Sequence, residues 1–481
     1  MESTMDKMTT QKKAVPETAA FPIKRPMLAM MGMLIGGFVG MLSETSLNIA
    51  LPSLMTQLNI GVGTAQWLVT GYMLVIGIVL PLSSLLSRWL STRTLIIFAL
   101  IDFMVGAAIS ALASTFSILL IGRMIQGIAT GLILPLMFTV ATLIFPPHKL
   151  GSAMGMISLV IMFAPAIGPT LAGIIIGALS WQWLFWAFIP FLLLGLIFAV
   201  KYLPNVGKLS KPKVDLFSIL LSTLGFGGLV TGVSLASDHG WTSPLVLSIL
   251  VVALIILAVY IRRQLNYQTP ILNFKVFQRR NFAMGSVLVM LDFGIILSSM
   301  YLLPMFWQKG LAIPVALTGI VMLPGGVVNA VFSAIAGRFY DRIGAKKLAV
   351  SGFTIALIGI IMLLFTTKNT AMGYVITAHI VMMIGVPLAM SPVQTFGLNA
   401  LDPMTASDGS TIMNTFQQII GAVSTAVATS LLAIGQSTST AAANSQTAFT
   451  NGVHLGLIFP LILTIAALII TLFIKEERHN A

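Results

Sequence analysis

Apolar residues along this chain fall in long unbroken runs, with neither the alternation of a half-buried strand nor a narrow heptad seam. A helix needs about 20 such residues to cross the hydrocarbon of a bilayer. Runs of that length start with 27–50 and 65–87 and finish with 407–434 and 454–474, about fourteen in all. The pattern predicts an all-α, multi-pass membrane protein with both termini on one face. Residues 1–26 are polar, with Lys7, Lys12, Lys13, Lys24 and Arg25 among three prolines, and read as a cytoplasmic tail without a removable signal peptide. Residues 435–453, rich in Ser, Thr and Ala, are expected to form the longest outer loop.

The basic residues test this count. With the N-terminus inside, about 23 of the 26 Lys and Arg fall in inner segments, while the outer ones hold only Lys309 and Lys368. Arg123 lies within a helix. One missed span would scramble that asymmetry.

The polar stretches also carry a repeat. Ser83 to Arg93, after the second run, and Gly337 to Lys347, after the tenth, align so that Arg88 meets Arg342 and Arg93 meets Lys347. The same shift sets Gly131 on Gly385. The expected division is a tail (1–26), a six-helix bundle (27–203), two linking helices with flanking loops (204–281), a second six-helix bundle (282–475) and a short tail (476–481). Two related halves around a midplane site are a common plan of secondary transporters.

Composition narrows the class. The chain is 57% hydrophobic and only 8% charged, whereas soluble domains carry about 25% charged residues. A solvated surface cannot be built from so few charges, which excludes ordinary soluble enzymes, disordered chains and coiled coils. The net charge of +13 resides in loops between apolar runs, so nucleic acid is not an expected partner. There is no cysteine, hence no disulfide or thiolate site. No phosphate-binding Gly-Lys-Ser/Thr loop or His-Glu-x-x-His is found, so no cofactor, no metal and no enzymatic activity are expected.

Charges inside the runs are few: Glu44, Asp102, Arg123 and Asp292. Each costs roughly 2.5–3.5 kcal/mol at a helix centre, so each is a functional candidate, with structural pairing as the rival. A carboxyl group taken out of water is harder to ionise, which suits proton exchange near neutral pH. It can also pair with a cationic substrate, so protonation and binding compete. Glu44 precedes Asn48 by one turn and follows Gly32, Gly36 and Gly40 at the spacing that lets helices approach closely. Asp292 shares a helix face with Ser299, and Arg123 shares one with Gln126 and Thr130. Arginine does not deprotonate, so Arg123 is expected to respond to a carboxylate rather than to carry the proton.

Further candidates for a pocket lining are Trp67, Tyr72, Phe163, Met382 and Met383, with the polar residues Gln394, Asn414 and Gln417. His379 is read as structural, and Asp408 as the cap of the thirteenth helix. Gly168-Pro169, followed by Gly173 and Gly177, marks a kink or a hinge.

These residues resemble the major facilitator superfamily, and within it the fourteen-helix drug:proton antiporters (multidrug or lincomycin-type efflux permeases). The Gly337, Asp341, Arg342, Gly344, Lys346, Lys347 loop is similar to the superfamily's gating signature, with the intact copy in the second half. Arg123-x-x-Gln126-Gly127 resembles a helix 4 motif linked to proton coupling. Ala164 to Gly173 resembles the helix 5 antiporter motif, associated with exporters. Asn48-Ile49-Ala50-Leu51-Pro52 is similar to the end of helix 1 in the fourteen-helix branch, where the usual acid stands at the position of Ser43, one residue before Glu44.

The resemblance implies two rocking bundles in a bacterial cell membrane and proton-coupled export of hydrophobic, cationic drugs. Glu44, Asp292, Arg123 and Asp102 would handle protons. Glu44, Asn48, Gln126 and Asp292 join the pocket candidates as substrate contacts, and Gly168, Pro169, Gly173, Gly337, Asp341, Arg342 and Gly344 would form the gates. The expected partners are protons, small hydrophobic or cationic substrates and membrane lipids, and the expected state is a monomer. Export of a native metabolite or lipid-like molecule, or a sensor or scaffold without flux, stays open at this point.

Overall fold

The computed structural model describes residues 25–206, 209, 215–268, 270–439 and 445–474. The expected tails therefore lie almost wholly outside the described residues, as does the middle of the expected 435–453 loop. Fourteen helices long and apolar enough to span a membrane follow one another, with no strand among the described residues. In hydrocarbon every backbone N–H and C=O must bond within the protein, and a helix does this inside one segment.

The first six are α1 (Pro26–Gln57), α2 (Val62–Trp89), α3 (Thr92–Ala111), α4 (Phe116–Ile144), α5 (Pro147–Ala178) and α6 (Trp181–Tyr202). Then come α7 (Leu216–His239) and α8 (Pro244–Asn266). The last six are α9 (Arg280–Met305), α10 (Val315–Ile343), α11 (Ala345–Leu364), α12 (Met372–Asn399), α13 (Pro403–Ser437) and α14 (Gln446–Leu472). A 3₁₀ turn at Phe274–Gln278 precedes α9, and a π turn at Phe306–Gly310 extends it.

Helix ends follow local chemistry. Ser91, Thr115 and Ser445 each accept a hydrogen bond from the backbone N–H three residues on, meeting donors that the helix leaves over. α10 stops at Gly344, whose φ of +86° suits a residue without Cβ. Two expectations are corrected. Asp402, followed by Pro403, occupies the N-cap position of α13, while Asp408 lies inside the helix and accepts a hydrogen bond from Asn273 at 2.9 Å. The expected 435–453 loop is shorter at both ends, because α13 runs on to Ser437 and α14 starts at Gln446.

Within the first half, α1 packs on α4, α5 and α6, and α3 on α4 and α6. Within the second, α9 packs on α12, α13 and α14, and α11 on α12 and α14. The halves meet along two seams, α5 with α10 and α2 with α13. The linking helices are central in sequence and peripheral in space: α7 leans on α13 and α2, and α8 on α7.

Glycines set the closeness of the first seam. A Cβ on Gly173 would lie 2.8 Å from Gly319 Cα, and one on Gly177 2.5 Å from Ala316 Cβ. Thr170 Oγ1 donates to Gly319 O at 2.8 Å across the same contact. On the face away from the N-terminal tail, Gln308 Nε2 reaches Ile49 O (3.0 Å) and Lys309 Nζ reaches Thr56 Oγ1 (3.3 Å), tying the π turn to α1. The halves are thus joined at this far face.

Candidate functional site

A cavity of about 440 Å³ lies between the halves. It reaches from the midplane toward the tail face, to Leu398 at the end of α12 and Ser410 near the start of α13. Drug-sized ligands occupy cavities of this order. Its wall is mainly apolar and draws on six methionines: Met41, Met162, Met300, Met322, Met383 and Met390. Unbranched, polarisable side chains re-pack around differently shaped ligands at small cost.

Polar groups are sparse in this wall and under-satisfied. Glu44 on α1 lines it, is 2% exposed, and has one carboxyl oxygen buried without a hydrogen-bond partner among the described residues. Facing elements contribute Gln394 on α12 and Asn414, Gln417 and Gln418 on α13. Gln417 Nε2 and Gln418 Oε1 also lack partners. Buried polar atoms are nearly always bonded, so several open ones around a single space mark it as made for something else.

One residue before Glu44, the arrangement reverses. Ser43 belongs to a closed cluster around Arg123, which is fully buried. Arg123 Nη1 donates to Ser43 Oγ at 2.5 Å and to Gln126 Oε1 at 2.7 Å, and Nε donates to Leu68 O at 3.3 Å. The guanidinium lies 4.0 Å from the centre of the Tyr72 ring, a cation–π contact. The Tyr72 hydroxyl reaches Gly40 O (2.9 Å) and Thr130 Oγ1 (2.7 Å), and Gln126 Nε2 donates to Ser110 Oγ (3.1 Å). Successive side chains on a helix diverge by about 100°, so Ser43 faces α4 and Glu44 faces the cavity.

The candidates therefore separate. Glu44, Gln394, Asn414, Gln417 and Pro169 line the cavity. Tyr72 and Gln126 belong to the Arg123 cluster and stand off the cavity wall. Met382 packs against α11, where a Cβ on Gly359 would meet its backbone, and its neighbour Met383 takes the cavity position instead. Phe163 is exposed beside the lining residue Met162, and Trp67 is part-buried on α2 away from the wall. Asn48 is buried off the wall, with its Oδ1 unpartnered.

Asp292 is fully buried with both carboxyl oxygens unpartnered, but it turns off the cavity while Phe293 lines it. Asp102 is half-buried on α3, remote from the wall. Gly168 packs on Thr45 and Leu42 of α1, and Gly173 on Gly319. At the tail face Gly337 is loosely packed, Arg342 is exposed, and the side chain of Asp341 lies outside the described residues.

Sequence reasoning undervalued His379, which lines the cavity, and missed Asn329, Ser333, Ser391 and Gln418 there. On α12 a signal was available: His379, Met383, Pro387, Met390, Ser391 and Gln394 recur at helical spacing along one stripe.

Known proteins agree with this plan. The lincomycin resistance protein LmrB of Bacillus subtilis is 44% identical over 480 residues, covering 98% of this chain and 99% of its own. That of Listeria innocua is 43% identical over 460 residues, covering 94% and 98%. A solved peptide transporter in complex with sulfate superposes with a TM-score of 0.66 at 15% identity, covering 95% of this chain and 99% of its own, a likeness of fold alone. Residues 33–425 match the Major Facilitator Superfamily, and the chain belongs to that family of membrane transporters.

Proposed function

We propose that this protein exports amphiphilic, drug-like cations in exchange for protons, by alternating access. The observation that carries the reading is Glu44: a buried carboxyl group with an open oxygen, facing a methionine-lined cavity between two helical halves. A cation from the tail face takes that carboxylate as its counter-charge. A proton arriving from the far face replaces it, since one carboxylate cannot serve both. The names of the LmrB relatives support a drug-type substrate.

In this reading both termini are cytoplasmic, the membrane is the bacterial cell membrane, and a single chain is the working unit. The bundles 27–203 and 282–475 rock about the α5–α10 and α2–α13 seams. Asp292, unpartnered and off the cavity, is the second proton-exchanging acid, and the Arg123 cluster holds α1, α2 and α4 in register around Glu44. Moving one charge through 100 mV supplies about 2.3 kcal/mol, enough to sustain a useful gradient per proton.

The test uses purified protein in sealed liposomes with an acid interior and a pH dye. Lipophilic cations added outside are expected to trigger proton efflux in the wild type. Glu44→Gln abolishes that efflux, and Asp292→Asn weakens it. Absence of efflux with every cation tested overturns the cationic reading. Transport of a neutral solute that survives Glu44→Gln replaces it with export of a native metabolite.

A further inference from the structure

His379 is the most conspicuous group in the cavity without a task. It lines the wall on α12, is 2% exposed, and neither ring nitrogen has a hydrogen-bond partner. A packing histidine normally anchors one nitrogen on a carbonyl or hydroxyl. This ring is instead held by shape. It meets the Trp307 ring edge-on, with centroids 5.4 Å apart, and a Cβ on Gly325 would come within 2.4 Å of it. The Trp307 indole Nε1 is buried and unpartnered as well. Trp307 belongs to the π turn whose next two residues, Gln308 and Lys309, reach α1. His379 therefore stands at the closed end of the cavity, on the opposite half from Glu44.

A neutral imidazole offers one donor and one acceptor. An uncharged group that itself both donates and accepts meets both needs. We propose that His379 is the specificity-determining contact at the closed end of the cavity, recognising a hydroxyl or secondary amide on the substrate whose cationic part faces Glu44. This rests on the export reading for the cation and adds the substrate's second recognition element. A site built to hydrogen-bond such a group discriminates strongly against the analogue that lacks it. Glu44 alone gives no such discrimination.

The experiment uses two radiolabelled lipophilic ammonium probes that differ only by one terminal hydroxyl. Their Kd ratio is measured by equilibrium dialysis on purified full-length protein, and proton-linked uptake is measured separately in liposomes. Relative to wild type, His379→Phe is expected to shift the Kd ratio about tenfold against the hydroxylated probe. Gly325→Ala, which drives the ring aside, shifts the ratio in the same direction. His379→Gln restores much of it, because an amide also donates and accepts.

An unchanged ratio in His379→Phe overturns the inference. So does an equal loss for both probes, which marks a packing role. If the probes bind but neither moves with protons, the export reading fails and the ratio still decides the role of His379. A wild type that binds neither probe overturns both.

Discussion

Two sets of buried polar side chains start from adjacent residues of α1 and are built on opposite plans. The set around Arg123, which includes Ser43, is saturated: guanidinium, hydroxyls and amide find one another at 2.5–3.4 Å. The set around the cavity, which includes Glu44, is open: a carboxyl oxygen, an imidazole and one amide atom from each of two glutamines lack partners among the described residues. Burial is equally deep in both, so burial does not distinguish them. Partnering does. A saturated set lowers the energy of one arrangement of helices, whereas an open set leaves bonding capacity for a ligand at the expense of the empty fold. The two sets should therefore respond oppositely when their polar groups are removed.

The largest effect on folding is expected from Arg123→Met. Ser43 Oγ and Gln126 Oε1 each lose a hydrogen bond from a charged donor and keep only their contact with each other at 3.3 Å. Such bonds contribute ~1.5–3 kcal/mol each, so the loss should be roughly 3–6 kcal/mol. Thermal unfolding in detergent measures it. Arg123→Lys keeps the charge, but loses the planar fork and its stacking on Tyr72, and should recover only part of the loss. A melting temperature equal to wild type in Arg123→Met would remove the distinction between the two sets.

Next in size is Gly173→Val, which asks whether a contact without any polar set can matter as much. Its Cβ would lie 2.8 Å from Gly319 Cα and 2.9 Å from Val315 O, both backbone atoms that cannot turn aside. Overpacking of this kind costs about 1–3 kcal/mol. The strain falls on the joined far face. Because the chain has no cysteine, a single Gln308→Cys, at a half-buried position of the far-face joint, reports directly: its labelling by an impermeant maleimide should rise severalfold in the Gly173→Val background. Unchanged labelling would show that the α5–α10 seam does not control this face.

The fourteen spans and the close glycine contacts were legible in the sequence, because length and small-residue spacing are properties of whole segments. The site was legible only to within one residue. Ser43 and Glu44, Met382 and Met383, and Asp292 and Phe293 are three adjacent pairs in which one member faces the cavity and the other does not. In a soluble helix the apolar stripe reveals which is which. A membrane helix is apolar all round, so its pattern carries no orientation. The stripe on α12 pointed toward His379, but the setting of its ring depends on Trp307 and Gly325 from other elements, which no single helix pattern shows.

A third polar set, at the membrane edge, sharpens the comparison. Asp215 accepts from Arg263 Nε and Nη2, both at 3.0 Å, and from the Ser218 backbone N–H at 3.2 Å, joining the start of α7 to the end of α8. Desolvation pushes this carboxyl up, but the hydrogen bonds from Arg263 and Ser218 and the positive charge of Arg263 outweigh it, holding Asp215 below the usual carboxylate range. A folded-state value below the unfolded one stabilises at neutral pH, and that contribution is lost as pH falls below about 4. The set is saturated like that of Arg123, yet Arg263 is 36% exposed. Water competes there, so Asp215→Asn should cost only ~0.5–1 kcal/mol at pH 7. The gap to wild type should narrow as unfolding is followed at pH values progressively below about 4. A cost as large as that of Arg123→Met would mean that saturation alone, without burial, sets the stability.

The smallest effect on folding belongs to the open set, and its sign is the point. Gln417 lines the cavity, is 7% exposed, and its Nε2 has no partner. Replacing it with leucine removes a buried donor that nothing satisfies and adds apolar contact with the methionine wall. Gln417→Leu should therefore leave unfolding unchanged or raise stability by less than about 0.5 kcal/mol. Cation-triggered proton efflux should fall about tenfold, or 1.4 kcal/mol of lost interaction. A polar group that evolved for packing gives the reverse result, losing stability and sparing transport. If Gln417→Leu destabilises the protein as much as Asp215→Asn does, the glutamine belongs with the saturated sets. The binding wall then narrows to Glu44, His379 and the amides that still lack partners.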